Sequence, residues 1–152
     1  MKLSTRAIIA LVNALNVFDQ GAEKAEAGKR PFKLANGARM ILSKNLMRVE
    51  GIVSAYQKER NAMILLHADA DGKLEGKAAI EFNALDNMLM DWLHEVELVA
   101  IRETDLRLDD NDIPVTVVAG LAPVIEGAPE AITPAFAGFT SKKYQEAAAP
   151  AH

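Results

Sequence analysis

A helical period of apolar residues, running with short lapses from residue 31 to about residue 67, constrains this chain more than any other feature. Leu34, Ala38, Ile41, Leu42, Asn45, Val49, Ile52, Val53, Tyr56, Met63 and Ile64 keep the spacing of one face of an α-helix. Pro31 suits a first helical position, because the amide it lacks has no intrahelical partner there. Gly37 and Gly51 interrupt the run at about 1 kcal/mol each against alanine, so either is a candidate bend. At 1.5 Å per residue the element is on the order of 50 Å long. A small globule cannot cover such a rod. The helix must bend, find a partner within the chain, or lie along another molecule.

Shorter elements surround it. Ser4 is a good N-cap for a helix over residues 5–18, whose Ile8, Leu11, Val12, Leu15 and Phe18 form one stripe, with Gly21 closing it. A polar connector, AEKAEAGKR, follows. Residues 67–76 (HADADGKLEG) read as a turn. A third helix is expected over 80–95, with Leu85, Met88, Leu89, Trp92 and Leu93 on its apolar face and Glu81, Asp86, Asp91 and Glu95 outward. Residues 96–108 are β-branched and partly alternating, which predicts one or two short strands or an extended crossing segment. After the turn at Asp109–Asp112, a last short helix over 117–125 is capped by Thr116 and ended by Gly127 and Pro129. The fold class is therefore mainly α: a helical hairpin or bundle with one long helix, a short extended or β segment, and an extended C-terminal arm. Two regions divide the chain, a helical domain over 1–127 and an Ala/Pro-rich arm over 128–152.

The arm cannot build a core of its own, yet it carries Phe136, Phe139 and Tyr144. Aromatic anchors on an extended segment are how a peptide arm docks in a groove, so these three are candidate partner-binding residues. Trp92, Met88 and Tyr56 form a second candidate interface, since Met and Trp suit adaptable surfaces. At helical spacing, core packing is the more ordinary role for Met88 and Trp92.

Composition narrows the function classes. At 152 residues the chain has the size of one domain, and it needs no staples. It has no cysteine, which excludes a disulfide framework and a thiolate metal site and fits a reducing compartment. Asn13 and Asn16 break the N-terminal apolar run, so neither a signal peptide nor a membrane span is expected. The formal charge is −4 with mixed signs, and only Lys24, Lys29, Arg30, Lys33 and Arg39 gather into a basic group. Nucleic acid is thus an improbable partner, reachable only through that local patch.

No motif calls for catalysis or a cofactor. In HADADGKLEGKA, placing Gly72 at the glycine of a calcium loop puts Asp69 and Asp71 on ligand positions. His67 and Ala78 then fall where the two strongest ligands belong, and Asp-Ala-Asp-Gly is more often a plain turn. His67, His94 and His152 have no zinc spacing. The serines lack a nucleophile elbow, and no glycine-rich phosphate loop is present. The expectation is a chain without enzymatic activity, resident metal or cofactor.

Four segments carry a family resemblance: IIALVNALNVF; PFKLANGARMILSKNL leading into VEGIVSAYQKERNAMI; FNALDNMLMDWLHEVELVAI; and IPVTVVAGLAPVIEG. Together they cover residues 3–127, and the pattern resembles a family of small helical proteins encoded by tailed bacteriophages. The connector is longer and more polar than in that pattern, and the arm is unmatched. The resemblance implies a phage structural or accessory protein, a minor virion component or assembly factor, made in the host cytoplasm and acting through contacts with protein subunits, its own copies in a homo-oligomer included. The alternative is a small regulatory protein that binds one host or phage protein.

Overall fold

A computed structural model of the protein describes residues 1–23 and 32–127. The chain is mainly helical. In order, β1 (Lys2–Ser4), α1 (Thr5–Glu23), α2 (Ala38–His67), α3 (Gly76–Asp91), β2 (Leu93–Glu95) and α4 (Val115–Gly120) are joined by turns, with 3-10 turns at Glu103–Leu106 and Ala122–Val124.

α1 is the central element. Ser4 caps it, its hydroxyl accepting the Ala7 amide at 3.1 Å. Ile8, Leu11, Val12, Ala14, Leu15 and Phe18 are buried, more than one stripe of a surface helix, because α1 packs on α2 along one side and α4 along another. The second contact is close. A Cβ on Gly120 would stand 2.6 Å from the Ala10 carbonyl oxygen and 2.9 Å from the Ala14 Cβ, so only glycine lets α4 reach α1. Leu106, Ile113, Val117, Val118, Leu121 and Val124 close the core from that side.

The long helix is shorter than its period suggests. α2 starts at Ala38, not near Pro31, because Gly37 takes φ 82° and turns the chain. Residues 32–35 are instead held by backbone bonding. The Ala35 amide donates to Asp105, and the Asn111 carboxamide accepts the Lys33 amide and donates back to the Lys33 carbonyl, both at 2.8 Å. Arg39 ties this segment to α1, donating to the carbonyls of Phe18 and Phe32 at 2.7 and 2.9 Å. The remaining 30 residues of α2 still extend roughly 45 Å. Its first half supplies Ala38, Leu42, Asn45, Leu46 and Val49 to the core, whereas only Met63 is buried in the second half. The partner that the overhang requires is α3, running antiparallel to that second half.

Several other expectations are corrected. α1 continues through Gly21 to Glu23. α3 begins at Gly76 and ends at Asp91, so Trp92 to Glu95 are not helical. Leu93–Glu95 pair antiparallel with Lys2–Ser4, with Leu3 opposite His94. The N-terminal strand was hidden because three residues carry no periodicity of their own. Residues 96–108 hold only an isolated parallel bridge, Ile101 with Ile125, and a 3-10 turn; they form the crossing segment rather than strands. α4 starts at Val115 after Pro114, two residues ahead of the expected start, so Thr116 is not its cap. Among the described residues, no helix is long and apolar enough to cross a membrane.

Two glycines give opposite outcomes for one substitution. Gly120→Ala should lower stability by about 2 kcal/mol through overpacking against backbone. Gly51→Ala, inside α2 with nothing within 4 Å of the new methyl, should raise it by up to about 1 kcal/mol. Urea unfolding of the two variants checks both signs.

Candidate functional site

α3 carries one bulky apolar side chain inward and several outward. Phe82 is buried, its ring 5.4 Å below the Arg60 guanidinium of α2. Asp86, one turn further, accepts the Tyr56 hydroxyl at 2.6 Å and faces the Arg60 side chain at 3.7 Å. Asp86 is therefore half-buried between the two helices, not on an outward face as the sequence suggested. This polar clasp, with Phe82 and Met63 beyond it, sets the facing register of α2 and α3.

That register turns the expected apolar stripe to solvent. Met88 is 68% exposed, Trp92 62% and Leu93 60%, and Ile80 and Leu85 are exposed with them. Ile80, Ala84 and Met88 follow one another at i, i+4 and i+8, hence along one ridge. At the hairpin tip Leu65 and Leu66 of α2 are also exposed. Core packing, the ordinary role for Met88 and Trp92, does not hold.

Where α3 ends against α1 and α2, a pocket of about 380 Å3 opens, within the roughly 300–1,000 Å3 range of binding clefts. Ile52, Ala55 and Tyr56 form its α2 wall, with Gly51 and Glu59 at its edges. Leu89, Trp92, His94 and Thr5 complete it. Its corner is hydrogen-bonded. The Thr5 amide donates to the Trp92 carbonyl at 3.0 Å, and the buried Thr5 hydroxyl lies 2.8 Å from His94 Nε2. Behind it, the Val96 amide reaches the Met1 carbonyl at 2.9 Å, and the terminal ammonium of Met1 pairs with Glu95 at 3.0 Å.

Of the candidate interface residues, Trp92 and Tyr56 meet in this pocket, while Met88 lies outside it on the exposed ridge. Phe136, Phe139 and Tyr144 fall outside the described residues. The sequence offered no signal for Leu89, His94 and Thr5 as a group, because a strand pairing between residues 94 and 3 brings them together. The Asp69 loop uses its carboxylate locally: one oxygen accepts the amides of Asp71 and Lys73, each at 2.9 Å, and Gly72 supplies a φ of 77°. Among the described residues, no cluster of three His, Asp or Glu side chains could hold a metal ion.

The Tyr56 phenol is pushed above its ordinary pKa of 10.0, first by burial and then by Asp86, which accepts its proton and repels a phenolate; Arg60 opposes this. Folding thus favours the neutral phenol, and its contribution is complete below about pH 10 and lost as pH rises through the folded value. No family model, no curated protein and no solved structure matches this chain. Tyr56→Phe should cost about 1 kcal/mol at neutral pH, and its gap to wild type should narrow above about pH 10. Denaturant unfolding of both chains from pH 7 to 11 measures that gap.

Proposed function

We propose that this chain is a non-enzymatic interaction protein whose α2–α3 hairpin docks on another protein, as a structural or accessory component of a tailed bacteriophage. The observation that carries the docking reading is the ridge of Ile80, Leu85, Met88, Trp92 and Leu93 exposed beside an apolar pocket. Contiguous exposed apolar surface of this kind marks interaction sites, and Trp and Met are favoured at their energetic centres. The phage setting comes from the resemblance of residues 3–127 and from no feature of the pocket.

A partner for this ridge presents apolar side chains of its own and little charge, since Asp91, Lys77 and Glu81 sit around the ridge and would rim such an interface. Repeated virion or scaffold subunits offer that chemistry in many copies. The single-partner regulatory reading uses the same face and differs in stoichiometry.

Charge placed on the ridge should break docking and spare the fold. L85E/M88E should keep the wild-type melting temperature while weakening partner association about a hundredfold, equivalent to ~2.7 kcal/mol. The experiment is co-sedimentation with purified particles and assembly intermediates. Stoichiometric recovery of wild type and loss of the variant support the proposal. Recovery of one complex with a single non-particle protein moves the function to the regulatory reading, and equal behaviour of the two chains removes the ridge from the account.

A further inference from the structure

The pocket beside Trp92 is lined mainly by apolar side chains, and the same chain carries Phe136, Phe139 and Tyr144 beyond its helical domain. We infer that the segment 136–144 of this chain, FAGFTSKKY, docks in cis into the pocket formed by Trp92, Leu89, Ile52, Ala55 and Tyr56. The inference rests on reading this face as a docking surface and names what covers its pocket end.

Three observations select this occupant. The first is reach. The Glu126 amide donates to the Ile101 carbonyl at 2.8 Å, and the Ile101 amide to Val124 at 2.7 Å, so the chain leaves the fold beside Ile101. His94, at the pocket, lies seven residues back along the chain, a span of at most roughly 25 Å. Phe136 lies nine residues beyond Gly127, enough to cover up to about 30 Å. A tether that matches its span places the segment at an effective concentration on the order of millimolar, so a weak site is filled.

The second is shape and chemistry. A cavity of about 380 Å3 with almost wholly apolar walls suits an aromatic ring, and the exposed indole of Trp92 offers a face for edge or offset stacking. Phe136 and Phe139 are three residues apart, so one ring can fill the pocket while the other lies along the Met88 ridge. The third is charge. The segment 136–144 contains Lys142 and Lys143 and no acid, while Glu59 is the charged residue lining the pocket. Tyr144 follows directly, with a hydroxyl for the polar edge.

Trp92 is the single tryptophan of the chain, so its fluorescence reports this pocket without labelling. The test compares acrylamide quenching of the full-length chain with that of full-length F136A/F139A/Y144A, at protein concentrations spanning about a hundredfold range. Docking in cis predicts a quenching constant about twofold higher in the variant, at every concentration, and saturable restoration when a peptide of residues 131–146 is added to the variant. Equal quenching in the two chains overturns the proposal. So does a difference confined to high concentration, which assigns the pocket to a second copy. L85E/M88E reports on the docking ridge by co-sedimentation, whereas F136A/F139A/Y144A reports on the pocket by Trp92 quenching, so failure here and failure of the docking ridge are told apart.

Discussion

Asn45 sits fully buried in α2 and treats a distant stretch of main chain as its partner. Its carbonyl oxygen accepts the Val99 amide at 2.8 Å, and its amide nitrogen donates to the Val99 carbonyl at 2.9 Å. An unpaired carboxamide at that depth would cost about 1–3 kcal/mol. The pair therefore fixes where the segment after β2 crosses α2. Arg48, one turn on, adds a bond to the Glu97 carbonyl at 2.9 Å. With residues 97–99 clamped across the first half of α2, Val96 and Ile101 drop into the core on either side, and Ile101 is positioned to bridge Ile125. The second half of α2 is left to α3.

That division explains why the molecule has a core and an appendage in one chain. Buried residues of the main core end on α2 at Val49, and beyond them the hairpin is held by Phe82, Met63 and the Tyr56–Asp86–Arg60 clasp. Because this clasp uses polar groups on α3, it spends the face that could have buried the stripe of Leu85 and Met88. The apolar ridge is left outward. A short sheet between β1 and β2 then brings His94 and Trp92 onto the N-terminus of α1, and the pocket lies where α1, α2 and the end of α3 meet.

Much of this was legible in the sequence, and the failures have physical causes. The apolar stripe of α1 and the existence of α2 follow from periodicity, which burial enforces. The start of α2 did not, because the apolar period continues through Leu34 into an extended stretch that Asn111 and Asp105 hold, contacts across 70 to 78 residues. α3 was found with its faces misassigned: Leu85, Met88 and Trp92 carry the stronger apolar signal, and Phe82 alone outweighs them once Arg60 and Tyr56 are opposite. Tyr56 and Trp92 were named as interface residues, but their meeting in one pocket with Leu89 depends on hairpin register, which single-helix patterns do not encode.

The central claim is that the Asn45–Val99 pair sets the crossing segment and, through it, the exposed hairpin. Amide hydrogen exchange of wild type and Asn45→Leu tests it most directly. The account predicts that the Val99 amide is among the slowly exchanging sites of the wild type. In the variant, protection should fall across residues 96–101 and at Glu126, whose amide bonds Ile101, while the amides of α1 keep theirs. Rapid exchange at Val99 in the wild type, or unchanged protection in the variant, would contradict it.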